Sequence, residues 1–184
     1  MNITETKLKG VYIIEPKVFG DERGWFMESY SKRDFEEAGI TADFAQDNHS
    51  FSRDKGTLRG LHYQLNPYSQ AKMLRCTRGE IFDVAVDVRK NSPNYAKWVG
   101  VRLSEENHKA IFIPREFLHG FITLTDNVEV QYKADNFYEK SSEGSVLWSD
   151  AQIGIEWPIE PKILSDKDKN ALPLSSHTDL NFEV

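Results

Sequence analysis

The sequence is short of several things, and each shortage closes off a class of protein. It holds one cysteine, Cys76, among 184 residues. A lone thiol closes no intrachain disulfide, so the chain reads as a protein of a reducing compartment, not a stapled secreted fold. The opening Met1-Asn2-Ile3-Thr4-Glu5 has neither the basic stretch nor the apolar run of a secretory leader. No uninterrupted apolar run approaches the roughly 20 residues of a membrane-spanning helix. Together these features point to a cytoplasmic protein. Positive charge is also scarce: 23 Lys and Arg against 29 Asp and Glu leave a net charge of −6. That balance argues against nucleic acid or an anionic membrane as partner, while a few converging cations still suffice for a phosphorylated small molecule. Neither G-x-G-x-x-G nor a P-loop occurs, which disfavours a nucleotide-binding α/β fold. Repeats, low-complexity tracts and linkers are missing too, so residues 1–184 read as a single domain with a substantial core.

What the chain does have is aromatic rings and strand patterns. Its 11 Phe, 7 Tyr and 4 Trp suit a β-rich core or a pocket with stacking faces. Strands are expected over Gly10–Glu15, Gly24–Tyr30, Asp43–Phe51, Thr57–Gln64, Lys72–Thr77, Glu80–Arg89, Lys97–Leu103, Lys109–Ile113, His119–Leu124 and Val128–Ala134. A turn is expected at Gly20–Gly24. Phe82, Val84, Val86 and Val88 alternate with Asp83, Ala85 and Asp87, the period of a strand with one buried face. Only Ser31–Ala38 reads as a convincing helix, with Ser31 as N-cap and Gly39 ending it. From about Asp135 onward turns dominate. Many short strands with few helices predict an all-β fold, a jelly-roll or cupin-like double-stranded β-barrel with a few short helices.

The stretch Thr57-Leu58-Arg59-Gly60-Leu61-His62-Tyr63-Gln64 concentrates the candidate chemistry. His62 has the pKa range of a general base near neutral pH, and Arg59 offers a fork of donors for phosphate oxygens. Strict alternation sends Arg59 and His62 to opposite faces, so service to one ligand requires a bulge or twist at Gly60. Barrels of this kind often hold a metal. Here the H-x-H pair of metal-binding cupins is absent, and only His62 and His119 are candidate interior imidazoles. His49 falls out of phase with Gln46 and Asn48, His108 lies in a charged turn and His177 in the tail. The barrel is therefore expected to hold no metal. Tyr132 shares the apolar, inward face with Val128, Val130 and Ala134. It is either a proton donor in a wet cavity or a core tyrosine bonded to backbone. Lys72, if it points inward, supplies positive charge for a developing oxyanion. In the charged turn Ser165–Lys169, either Asp166 or Asp168 is placed to orient His62.

These pieces, in order, resemble the dTDP-4-dehydrorhamnose 3,5-epimerase family nearly end to end. The resemblance runs through Asp21-Glu22-Arg23-Gly24-Trp25-Phe26 with Glu28, Gln46-Asp47-Asn48, Leu58–Gln64, Gln70-Ala71-Lys72, Arg78–Asp87 and Ile113-Pro114. It continues in His119-Gly120-Phe121, Tyr132-Lys133, Trp148-Ser149-Asp150, Ile153–Pro158 and Ser165–Asp168. It implies a cofactor-free jelly-roll homodimer acting on a dTDP-linked 4-keto-6-deoxyhexose. By analogy His62 is the base, oriented by Asp168. Lys72 stabilises the enolate oxygen, and Tyr132 returns a proton to the opposite face of the ring. The same pattern implies substrate binding by Arg23, Glu28, Gln46, Asn48, Arg59, His119 and Glu143, with Arg23 and Arg59 at the diphosphate. Tyr138 would stack on the thymine with Phe26 as second candidate, and Lys167 is a further contact. Part of the N-terminal segment is expected to reach across the dimer. This chain departs from the family at Ser149-Asp150-Ala151, where Asp-Pro is common, and at Glu116 and Leu118, where a glycine and a small residue are common. A single-centre epimerase and a non-catalytic sugar-nucleotide-binding barrel are the alternative readings.

Overall fold

Period-2 alternation through the middle of the chain builds two antiparallel sheets that face each other. The structure is a computed structural model and describes residues 1–180, 182 and 183. In chain order the strands are β1 (Asn2–Glu5), β2 (Tyr12–Glu15), β3 (Val18–Asp21), β4 (Gly24–Met27), β5 (Gln46–Ser52), β6 (Leu58–Gln64) and β7 (Lys72–Arg78). There follow β8 (Glu80–Asp87), β9 (Trp98–Ser104), β10 (Ala110–Ile113), β11 (Phe117–Thr123), β12 (Val128–Ala134) and β13 (Glu143–Ser145). The helices are α1 (Lys32–Glu37) and α2 (Asp166–Lys169), with 3-10 turns at Lys140–Ser142 and Leu174–Ser176. One sheet has six strands in the order β1-β2-β10-β7-β12-β5, and the other has five in the order β13-β6-β11-β8-β9. This is a jelly-roll, cupin-like barrel. Among the described residues no helix is long and apolar enough to cross a membrane.

The interior between the sheets is filled by Leu74, Cys76, Ile81, Ala85, Leu103, Ile111, Phe121 and Val130 at one end. The outer face of the five-stranded sheet is not solvated. Leu61, Tyr63, Val84, Val86 and Leu118 pack there under Val146, Ile153, Leu174, Leu180 and Phe182 from the C-terminal part. The single-face expectation for β8 is therefore corrected. Val84 and Val86 are buried outward, and Asp83, Ala85 and Asp87 are buried inward, all at most 1% exposed. Where chain covers the outside of a sheet, both faces of its strands are buried and alternation no longer separates inside from outside.

α1 begins where expected: the Ser31 side chain accepts the Asp34 N–H. Its Phe35 covers Ile14, Met73 and Phe112 on the outer face of the six-stranded sheet. The segment around residues 18–27 folds differently from expectation. Among the described residues β3 and β4 pair only with each other, so the turn region is a hairpin arm with Phe19, Trp25 and Phe26 more than half exposed.

Candidate active site

Between the open ends of the two sheets lies a cavity of about 620 Å³. β6 and β11 bring Arg59, His62 and His119 to one wall, β7 and β12 bring Lys72 and Tyr132 to the facing wall, and α2 adds Lys167 and Asp168. Arg59 and His62 share this cavity because β6 carries one extra residue. Its register against β11 runs His62 with His119 and then Arg59 with Phe121, a step of three residues opposite two. Gly60 makes that possible. Its φ is +134°, and a Cβ there would lie 2.5 Å from the Gly120 Cα. A second groove, about 360 Å³, opens beside Arg75, Gln131 and Lys133. It is lined by His49, whose Nε2 meets the Glu129 carboxylate at 3.0 Å, but by none of Arg59, His62, Lys72, His119 or Asp168.

His62 Nε2 lies 2.6 Å from Asp168 Oδ1. The Asp168 carboxylate is nearly buried, and burial alone would raise its pKa. Hydrogen bonds from His62, the Ser165 hydroxyl and the Gly60 N–H outweigh that and hold it below the usual carboxylate range. His62 itself is pushed below the ordinary imidazole range because desolvation outweighs the attraction of Asp168. Both directions describe the same state at neutral pH, an ionised Asp168 and a neutral His62. A carboxylate only accepts, so the Nε2–H donates to it and Nδ1 is the unprotonated nitrogen. The expectation that Asp166 or Asp168 orients His62 resolves to Asp168. The Ser165 side chain caps α2 at the Asp168 N–H and fixes that carboxylate in place.

Lys72 faces the cavity from β7. Burial drives its ammonium pKa down to about 8, against the pull of Asp83 and Glu143. Tyr132 packs on the apolar interior, and its hydroxyl pKa is raised by desolvation, with Arg59 opposing and Glu143 adding to the shift. His119, 8% exposed, places its Nε2 2.9 Å from Asp83 Oδ2. Sequence reasoning missed Asp83. Its shared phase with Ile81 and Ala85, both in the inter-sheet core, was the available signal. Among the described residues no three His, Cys, Asp or Glu side chains converge to hold a metal.

The other expected binding residues divide into two groups. Gln46, Asn48, Tyr138 and Glu143 are linked to one another outside the cavity lining: Gln46 donates to Asn48, which lines the second groove, at 2.9 Å and accepts the Tyr138 N–H at 3.3 Å. The Tyr138 hydroxyl donates to Glu143 at 3.2 Å, and the Lys167 ammonium meets the same carboxylate at 2.6 Å. Arg59 bonds the Ser52 hydroxyl and the Phe51 carbonyl, which leaves its fork beside Tyr132. Arg23, Phe26 and Glu28 are not brought to this cavity. They lie on or just after the hairpin arm, exposed, with Arg23 paired to Asp21 and the neighbouring Trp25 resting on His108 at 4.6 Å. The departing residues have local roles. Glu116 takes φ +69°, a backbone that suits glycine, and is held by Asn66 through its carboxylate and by Ser69 through its N–H. Asp150 accepts the N–H groups of Gln152, Ile153 and Leu174 and so organises the covering segment.

Comparison with known proteins settles the lineage. The family model for dTDP-4-dehydrorhamnose 3,5-epimerase matches residues 5–176. The chain belongs to that family. It is 58% identical over 171 residues to the dTDP-4-dehydrorhamnose 3,5-epimerase of Shigella flexneri, covering 92% of this chain and 94% of that one. A crystal structure from Legionella pneumophila, in complex with dTDP-4-keto-L-rhamnose, is 45% identical. It superposes with a TM-score of 0.95 over 100% of this chain and 98% of that one. ChmJ, a 3'-monoepimerase from Streptomyces bikiniensis in complex with dTDP-quinovose, is 35% identical, with a TM-score of 0.88 over 97% of this chain and 90% of that one. The epimerase fold therefore serves both double and single inversion.

Proposed function

We propose that this chain inverts C3 and C5 of dTDP-4-keto-6-deoxy-D-glucose to give dTDP-4-keto-L-rhamnose, without a cofactor, in dTDP-L-rhamnose biosynthesis. The observation that carries the reading is the pairing of a carboxylate-held histidine on one wall with a tyrosine hydroxyl and a lysine on the facing wall. The 4-keto group acidifies the C–H bonds at its two neighbours. His62 Nδ1 removes one proton, and the electron pair moves into a C3–C4 or C4–C5 double bond as the C4 oxygen becomes an enolate. The Lys72 ammonium stabilises that oxygen. The enolate then collapses and takes a proton from the Tyr132 hydroxyl on the opposite face of the ring, which inverts the centre. Solvent returns the proton to Tyr132 and accepts the one on His62, so the enzyme is regenerated with no net change in atoms.

Inversion demands a base and an acid on opposite faces of one carbon, and a two-sheet pocket supplies that with one residue from each sheet. For binding, Arg59 faces the diphosphate, Tyr138 stacks on the thymine, and Gln46, Asn48, His119, Glu143 and Lys167 position the sugar nucleotide. Arg23, Phe26 and Glu28 complete the site of a second copy in a homodimer. An arm with three exposed rings and no strand neighbours supports that reading. The lone Cys76 supports action in the cytoplasm, with the whole chain as one catalytic unit.

The test is proton NMR of the enzyme with dTDP-4-keto-6-deoxyglucose in deuterated water. Loss of both the C3 and C5 proton signals with product formation is the expected result. Exchange at one carbon alone would favour a single-centre epimerase, the reading that the likeness to ChmJ keeps in play. Nucleotide binding without exchange would leave a sugar-nucleotide-binding barrel.

A further inference from the structure

Residues 135–139 belong to no strand or helix, and around Tyr138 the backbone hydrogen bonds end on glutamine side chains. Gln64 donates from Nε2 to the Phe137 carbonyl at 3.2 Å and accepts the Glu139 N–H on Oε1 at 2.8 Å. One carboxamide thus grips the chain on both sides of Tyr138. Its Nε2 also donates to the Tyr68 carbonyl at 2.6 Å, so both of its N–H donors are used. Gln46 takes the Tyr138 N–H itself at 3.3 Å. Gln46 opens β5 in the six-stranded sheet and Gln64 closes β6 in the five-stranded one, so the segment is clamped from both sheets. Gln64 is 7% exposed, whereas Tyr138 is 53% exposed. The clamp adjoins the site at both ends. Gln64 lies two residues beyond His62 and lines a small pocket with His62, Lys72 and His119. The Tyr138 hydroxyl bonds Glu143, whose carboxylate meets Lys167 in the wall of the main cavity.

We propose that Gln64 is a positioning residue for the nucleobase: its carboxamide fixes the backbone on both sides of Tyr138, so the ring is in place before the nucleotide arrives. The proposal rests on the reading that Tyr138 stacks on the thymine. An exposed tyrosine on an irregular segment would otherwise lose backbone and side-chain freedom each time a ligand binds, and that loss is subtracted from affinity. Gln64 has already removed the backbone part of it in the free enzyme. An apolar side chain of the same size would leave the Tyr68 and Phe137 carbonyls and the Glu139 N–H without this partner, and the segment would move outward to bond water instead. Stacking acts alike on the bound substrate and the transition state, so the effect falls on binding and not on the chemical step.

The experiment is a double-mutant cycle on dTDP binding, read by titration calorimetry with Gln64→Met and Tyr138→Ala singly and together. Tyr138→Ala should raise the Kd of dTDP about tenfold, the loss of one stacking face. Gln64→Met should raise it about fivefold, but by less than about twofold where Tyr138 is already alanine. The Kd of inorganic pyrophosphate, which has no base to stack, should be the same in every variant. In turnover by Gln64→Met, KM should rise with the dTDP Kd while the acid limb of kcat, set by His62, stays where it is. A glutamine that only holds the fold together would weaken dTDP and pyrophosphate alike. If Gln64→Met does not fold, Gln64→Asn, one methylene too short to bracket Tyr138, carries the same comparison. Unchanged dTDP affinity in the Gln64 variant, effects that multiply in full in the double variant, or a parallel loss of pyrophosphate affinity overturns the proposal. A dTDP affinity unmoved by Tyr138→Ala overturns the stacking reading and the proposal with it. Absence of turnover in the unsubstituted enzyme overturns the epimerase reading alone and leaves the binding cycle readable.

Discussion

Two of the molecule's histidine–carboxylate pairs have their imidazole in the cavity wall, and they are built to opposite ends. His62–Asp168 joins a strand to the first turn of a helix at the rim of the cavity, and its carboxylate is held by two further groups, the Ser165 hydroxyl and the Gly60 N–H, so it stays ionised. His119–Asp83 joins two neighbouring strands inside the barrel, and there burial raises the Asp83 pKa against the pull of His119, with one carboxylate oxygen left without a donor among the described residues. The same two residue types thus give an ionised carboxylate in one place and, in the other, a carboxyl that burial pushes toward its neutral form. The difference lies in how many donors reach the carboxylate, not in the imidazole.

The largest effect that would sharpen this contrast is removal of the base. His62→Ala should lower turnover by about 1,000-fold with the melting temperature little changed, since general acid–base groups contribute 10²–10⁴. A loss under tenfold would break the assignment of the first pair as the catalytic one. Asp168→Asn should cost about 100-fold and carry a signed mark in the pH profile. The carboxylate favours the imidazolium, so without it the His62 pKa falls further and the acid limb of kcat/KM moves to lower pH. An acid limb that moves up would contradict the tautomer drawn here. Gly60→Ala tests the geometry that brings both sides of β6 to the cavity. A Cβ at φ +134° against Gly120 should destabilise the fold by about 3 kcal/mol, a fall in Tm of roughly 10 °C in thermal unfolding. The smallest effect is expected at Tyr138. Tyr138→Ala should raise KM by about tenfold with kcat within a factor of two, as loss of one stacking face in ground state and transition state alike would do.

Much of the site was legible because local rules and chemistry agree there. The Gly60 bulge followed from asking how Arg59 and His62 meet one ligand, and Tyr132 followed from the phase of Val128 and Val130. Ser31 capped its helix as its type and place foretold. Asp83 was missed, although its phase with Ile81 and Ala85 was there to be read. Its strand was read as having one buried face, and the apolar Val84 and Val86 took that face in the reading, whereas Leu174, Leu180 and Phe182 cover the other side so that both faces are buried. The covering chain is distant in sequence, so alternation within β8 carries no trace of it. The hairpin arm was half visible, as a turn and one strand, because β3 pairs with nothing but β4 and lacks the flanking pattern of a sheet strand.

The central claim is that base and acid stand on opposite walls, His62 on the five-stranded sheet and Tyr132 on the six-stranded one. The most direct measurement follows the substrate C3 and C5 protons by NMR in deuterated water with Tyr132→Phe beside His62→Ala. Tyr132→Phe should still wash out substrate protons while forming little inverted product, and His62→Ala should wash out none. Proton loss that survives in His62→Ala, or that vanishes in Tyr132→Phe with His62 intact, would contradict it.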